Sequence, residues 1–222
     1  MEEAFLSDDQ REQIRAKSVP EPGIYVIDRL GWHTTEVVDR ETRAYDEDEG
    51  DDSMLTGQAC TKKPKNLTKR DIQDSGDGRF DGVQIVKVGM GIYFDAAGVK
   101  IHLISAPQGP AGLRLSDSGI QGGIEARAEA TEQMFSTDLY ETKPEDVLVM
   151  FSRDLSGLDK VWVGRRTKAS QFAWLIDLYD RGEDRATEIV RPASQIPPAA
   201  IKVPDVRLKS DSKNGRKGLG NR

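Results

Sequence analysis

The sequence predicts an α+β protein with a mixed, mostly antiparallel sheet, two or three helices and extended arms. Runs rich in β-branched and aromatic residues recur along the chain, as is typical of strands. Other stretches repeat apolar residues at helical spacing. The C-terminal stretch is basic, contains glycine and has few apolar residues, which indicates a flexible end. We therefore expect a single domain over residues 1–205 and a flexible basic tail over 206–222.

Composition limits the classes of protein that fit. Of the 222 residues, 36% are hydrophobic and 32% are charged, and the net charge is -6. The chain as a whole should repel nucleic acid and anionic membranes, although a local basic patch could override that repulsion. It contains no run of about 20 apolar residues, so no membrane span is predicted. The single cysteine, Cys60, excludes an intrachain disulfide and fits a cytoplasmic location or an intracellularly assembled particle.

The N-terminal elements are predicted as one helix followed by a hairpin. Ser7 can cap the helix with Gln10 at the capping-box position, and Pro20 ends it. The β-branched runs at 23–30 and 33–45 then predict two strands that are joined by a short turn.

Residues 46–82 are predicted to form a long charged loop. An acidic stretch at 46–52 is followed by a basic one at 61–70, and at most one helical turn is expected near 67–72. The aspartates between glycines at 74–81 could surround a hard cation such as calcium, but no glutamate closes the loop as that pattern requires. We expect a tight glycine turn there and no metal site.

Three strands are predicted over 83–105, with Gly98 supplying the positive φ of the turn at 95–98. His102 should be an ordinary strand residue. The remaining predicted elements follow in order: a Gly/Pro-rich connector at 105–123, a helix at 124–141, strands at 145–152 and 159–164, a helix at 167–181, a short strand at 187–192 and an extended segment at 192–206. The C-terminal half would then contain a βαβ-like layer.

The turn between the strand at 159–164 and the helix at 167–181 is the first candidate site. A helix N-terminus offers free backbone N–H groups and a favourable dipole for an anion. Arg165 and Arg166 could bind a phosphate or carboxylate through paired hydrogen bonds, with Lys168 and Ser170 beside them. The glycines of a phosphate-binding loop are missing, so a solvent-facing loop is the alternative.

The basic tail is the second candidate. Its cations could neutralise nucleic-acid phosphates without reading sequence, or contact an acidic protein surface. A disordered, solubilising end is the alternative. The predicted contact residues are Arg207, Lys209, Lys213, Arg216 and Lys217.

No catalytic pattern accompanies these features. Cys60 has no histidine near it in sequence, and His33 and His102 belong to no recognisable nucleophile or zinc motif. We predict no cofactor, and the lack of a recognisable catalytic motif favours a non-enzymatic protein over an enzyme. The sequence favours a non-enzymatic structural or adaptor subunit of a larger particle, such as a virion, which forms homo- or hetero-oligomers through its charged loops and C-terminal arm. The alternative is an enzyme or sensor that binds a phosphorylated ligand or nucleic acid through Arg165, Arg166 and Lys168.

Overall fold

The computed structural model describes residues 4–46, 50, 52–76, 78–88, 91–113, 124, 146–168 and 171–182. All of them belong to one unit, Met1–Arg185. They form three α-helices and a six-stranded mixed sheet that is mostly antiparallel, so the predicted α+β class is confirmed. The predicted domain boundary at 205, the strand at 187–192 and the tail lie outside the described residues.

The first helix, α1, spans Asp8–Arg15 and confirms the N-terminal prediction. Ser7 Oγ accepts a hydrogen bond from the Gln10 backbone N–H at 3.2 Å, and the Gln10 side chain accepts one from the Ser7 N–H at 3.0 Å. This reciprocal capping box satisfies N–H groups that have no partner inside the helix.

The predicted hairpin at 23–45 is wrong, because a helix, α2, spans Glu21–Ala44. The buried side chains of Ile24, Ile27 and Leu30 recur every three residues, which places them on one helical face against the sheet. Burial of that face outweighs the β preference of its branched residues, since propensity is a weak prior against tertiary packing.

The predicted loop at 46–82 is also wrong over most of its length. A third helix, α3, spans Ser53–Asp74, and the Asp52 side chain caps it by accepting from the Met54 N–H at 2.7 Å. The buried positions of α3 are Cys60, Pro64 and Thr68. They repeat every four residues and form a narrow, weakly apolar stripe, which is difficult to recognise in a charged sequence.

The six strands follow their chain order across the sheet. Every neighbouring pair is antiparallel except β3 and β4, which run parallel. The predictions at 83–105, 145–152 and 159–164 are confirmed, and Gly98 has φ 89° in the turn after β2. The strands are β1 Val83–Val88, β2 Gly91–Ala96, β3 Val99–Ser105, β4 Asp146–Asp154, β5 Gly157–Lys168 and β6 Gln171–Asp180.

The predicted helix at 167–181 is wrong, because this segment forms strand β6 and pairs antiparallel with β5. Over residues 175–178 the burial alternates: Ile176 and Leu178 are buried, and Leu175 and Asp177 are exposed. This period-2 alternation fits a strand with one covered face. The βαβ-like C-terminal layer is therefore wrong too, and the one parallel pair of the described sheet is β3–β4.

The sheet is covered on both faces. The three helices pack on one face, over a core that includes Phe94, Ile101 and Val161. Ile104, Leu148, Met150 and Trp162 form the core of the other face together with Leu113 and Ile124. The helix predicted at 124–141 lies outside the described residues, apart from the buried Ile124. None of the three described α-helices combines the length and the apolarity needed to cross a membrane.

Candidate functional site

The structure places the predicted anion-binding cations near the end of strand β5. Arg165 lies opposite Trp174 on β6, and Arg166 lies opposite Phe172. Lys168 is the last residue of β5, and Ser170 lies outside the described residues. Because β6 replaces the expected helix, no helix N-terminus supports an anion at this turn. Anion binding here stays a prediction that rests on the side chains alone.

Arg166 has a structural contact that sequence reasoning missed. It is only 3% exposed, and its Nη1 donates to the backbone carbonyl of Leu113 at 2.9 Å. This bond ties β5 to the segment that follows β3. A guanidinium held in this way has fewer N–H groups to offer a ligand.

The predicted tail contacts lie outside the described residues. They are Arg207, Lys209, Lys213, Arg216 and Lys217.

A charged cleft of about 300 Å³ opens where α1, α2 and the end of α3 meet. Positive and negative side chains line it in equal number, and two aromatic rings lie beside them. A cleft of this composition suits a small ligand that carries charges of both signs. The charged residues of the lining are Arg11, Asp28, Arg29, Asp71, Asp74 and Arg79, and the aromatic ones are Tyr25 and Phe80.

The buried Asp28 carboxylate organises one wall of this cleft. Its Oδ1 accepts from the Leu6 N–H at 2.8 Å and lies 2.8 Å from Arg11 Nη2. The Arg11 guanidinium also lies 5.4 Å from the centre of the Tyr25 ring, within the range of a cation–π interaction. These contacts fix α1 and the segment before it to α2.

Asp71 organises the opposite wall. Its Oδ2 accepts from Arg29 Nε at 2.7 Å and lies 2.7 Å from His33 Nε2. His33 is buried, and its Nδ1 lies 3.8 Å from Glu36 Oε2 with no hydrogen-bond partner among the described residues. A carboxylate beside one imidazole nitrogen fixes the orientation of the ring. Within the described part of the chain, no hydroxyl or thiol hydrogen-bonds to that other nitrogen, and the Asp71 contacts join α3 to α2.

A second histidine–aspartate pair lies on the opposite side of the sheet from α2. His102 Nε2 on β3 lies 2.8 Å from Asp146 Oδ1 on the parallel strand β4, and both residues are buried. The Tyr93 ring centre lies 5.1 Å from that of His102. The sequence signal that could have indicated this pair is the position of Asp146, directly before the apolar run at 147–151.

No metal site emerges among the described residues, where no group of three histidine, cysteine or acidic side chains could hold an ion. Of the aspartates considered for calcium, Asp74 ends α3, Asp81 closes the turn at 78–81, and Asp77 lies outside the described residues. The expected glycine turn is confirmed at Gly78, which has φ 77° and accepts a hydrogen bond from the Asp81 N–H at 3.1 Å.

Strand β6 presents an edge with an unusual composition. In the described sheet it has β5 as a neighbour on one side only. The six residues 171–176 carry no charge, and Leu175 is 42% exposed. The Gln10 side chain of α1 donates to the carbonyls of Asp177 and Leu178, so α1 covers the far end of this edge. Sequence reasoning missed the edge because it assigned the segment to a helix.

Comparison with protein-family models, with curated proteins and with solved structures gave no match for this chain.

Proposed function

We propose that this protein is a non-enzymatic structural or adaptor subunit of a larger assembly, and that the edge of β6 is where it joins a neighbour. The observation that carries the proposal is the uncharged, partly exposed edge at 171–176. The proposed assembly is a virion or another particle that is assembled in the cytoplasm. The acidic stretch at 46–52 and the basic tail would add contacts of opposite charge.

An exposed edge strand carries backbone N–H and C=O groups that can pair with a strand of another chain. Natural proteins commonly protect such edges with charged residues. The other edge of the described sheet follows that rule, since β1 is short and carries the exposed Lys87. β6 has no such residue before Asp177, which makes it the edge better suited to pairing.

The register of β6 narrows the contact further. The ladder between β5 and β6 shifts next to Trp174 and next to Asp177, and it is regular between them. The Asp177 carbonyl already accepts from Gln10, so residues 174–176 are the part of the edge that can continue a regular ladder onto a neighbour. Leu175 lies in the middle of this stretch and would be covered by that neighbour. The simplest arrangement pairs β6 with β6 of a second copy across a two-fold axis.

The test is the molar mass in solution, measured by light scattering over a wide range of protein concentration. We expect the chain to form a dimer or larger species, and Leu175→Lys to shift it to the monomer. Leu155→Lys is the matched control, because Leu155 is 94% exposed in the turn before β5 and should leave assembly unchanged. A monomer at every concentration, or equal behaviour of both variants, would contradict pairing through β6.

The alternative function is binding of a phosphorylated ligand or nucleic acid through Arg165, Arg166 and Lys168. It has less support, because Arg166 already donates to the Leu113 carbonyl. Nucleic-acid binding through these cations or the tail should weaken steeply as salt is added. A salt-insensitive interaction would exclude it.

A further inference from the structure

A groove of about 560 Å³ lies between α3 and the strands β2 and β3. Its volume falls within the range of about 300–1,000 Å³ that is typical of small-molecule sites. The walls are more apolar than polar, and they belong to elements of regular secondary structure. We call it the α3 groove and define it by Met54, Gln58, Lys62, Lys65, Asn66 and Ile92.

Three neighbouring lysines of α3 differ in how their charges are compensated. Lys63 Nζ lies 2.7 Å from Glu41 Oε2 on α2, outside the groove. Lys62 is exposed, and its Nζ donates to Gln58 Oε1 at 3.1 Å. Lys65 is half-buried and has no hydrogen-bond or ion-pair partner among the described residues. Of the two lysines that line the groove, Lys65 is therefore the one that is half-buried and lacks any polar partner in the described part of the chain.

Removing an ammonium group from water without a partner is unfavourable. Burial accordingly lowers the pKa of Lys65 to about 8. Among the residues that the structure describes, no acidic side chain lines the groove to offset that cost. An anion bound in the groove would supply the missing charge and would itself gain from the low-dielectric walls.

The walls also limit the rest of the ligand. Met54 is 63% exposed at the mouth, and Ile92 and Gly91 of β2 form the side opposite α3. These groups offer an apolar surface that would be covered by an aliphatic chain. The amides of Gln58 and Asn66 can hydrogen-bond a polar head beside Lys65. None of the described arginines lines the groove, so they do not offer there the paired geometry that favours a phosphate dianion.

We propose that the α3 groove binds a small amphiphilic anion, a carboxylate with an aliphatic body, and that Lys65 is its counter-ion. Lys62 contributes a second positive charge at the rim. This site shares no residue with the β6 edge, so the two proposals are tested independently of each other.

The probe is decanoate, added below the concentration at which it forms micelles and monitored by amide chemical shifts in two-dimensional NMR. We expect saturable shifts at Gly91, Ile92 and Ser105, which border the groove. Decanol tests the apolar body without the charge, and acetate tests the charge without the body. Decyl phosphate tests whether a dianion is preferred. Both decanol and acetate should bind at least tenfold more weakly than decanoate.

The decisive variant is Lys65→Met, which keeps most of the length of the side chain and removes the charge. It should weaken decanoate binding at least tenfold, whereas Lys65→Arg should retain most of it. Lys87→Met is the control, because Lys87 is exposed on β1 and does not line the groove. Equal binding by Lys65→Met and the unaltered chain, equal binding of decanol and decanoate, or shifts confined to other surfaces would each overturn the proposal. Tighter binding of decyl phosphate would overturn the choice of a carboxylate.

Discussion

Asp71 on α3 and His33 on α2 are joined by a contact of 2.7 Å between Oδ2 and Nε2, although 38 positions separate them in the chain. The same oxygen accepts from Arg29, one turn before His33 on α2. One carboxylate therefore fixes two side chains of α2 and determines how α3 lies against it. This contact gives the first prediction.

Asp71→Asn should destabilise the protein by about 2 kcal/mol, because it removes the carboxylate charge that contacts the half-buried Arg29 and the buried His33. The free energy of unfolding in urea measures the effect. Asp74→Asn is the matched control, since Asp74 is exposed near the end of the same helix and should change stability by less than about 0.5 kcal/mol. Equal losses for the two variants would mean that the Asp71 contacts contribute no specific stability.

The sequence predicted the sheet better than the helices. The strands β1 to β5 follow from β-branched runs bounded by glycine and other turn residues, which are local signals. In α2 the same branched residues, Ile24 and Ile27, form the buried face of a helix, and only their spacing distinguishes the two structures. β6 shows the converse case, because its nearly continuous apolar run fits a helix or a strand until β5 is known to pair with it.

The candidate sites were less accessible to sequence reasoning. The contact of His33 with Asp71, and that of Arg166 with the Leu113 carbonyl 53 positions away, depend on how distant segments pack. Lys65 stood in a basic run that suggested a solvated loop. Only the formation of α3 and its packing beside β2 place this lysine in a groove. Tertiary structure determines which charged side chains are buried, and the composition of a segment does not indicate them.

The lowered pKa of Lys65 predicts a specific pH dependence of stability. Its folded-state pKa of about 8 lies below the ordinary value of 10.5. Between these values the unfolded chain binds more protons than the folded one, so the contribution of this group to stability rises with pH. Below pH 8 the folded protein carries the full cost of the buried charge.

Lys65→Met should therefore stabilise the protein near pH 7, by about 1–2 kcal/mol because the amine keeps partial contact with water. The advantage should shrink as the pH approaches 10.5. Urea midpoints of the variant and the unaltered chain at pH 7 and pH 10 measure it. Lys87→Met should show no such change with pH. A constant difference between the Lys65 variant and the unaltered chain would rule out the depressed pKa as its cause.

Cys60 should be unreactive in the folded protein. It is fully buried on α3, and burial raises the pKa of its thiol, so little thiolate forms near neutral pH. Labelling with a disulfide reagent should be at least a hundredfold slower in buffer than in denaturing urea. The signal is unambiguous because the chain contains one cysteine. Rapid labelling in buffer would show that α3 opens readily from the sheet.

Gly31→Ala should destabilise the protein, although in a helix interior alanine is normally more stable than glycine by about 1 kcal/mol. Gly31 lies inside α2, where an added Cβ would overlap the ring of Phe5. The ring packs against the main core, so moving it disturbs buried contacts. We expect a net loss of about 1–3 kcal/mol, measured by urea unfolding.

A second variant distinguishes this overlap from an effect on α2 itself. In a Phe5→Ala background the ring is gone, and Gly31→Ala should become neutral or stabilising. The difference between the two backgrounds measures the coupling of Gly31 and Phe5, which we expect to exceed about 1 kcal/mol. If Gly31→Ala is equally unfavourable with and without the ring, its cost does not come from the segment before α1. The packing of the Phe5 ring against α2 would then not determine the effect of a side chain at position 31.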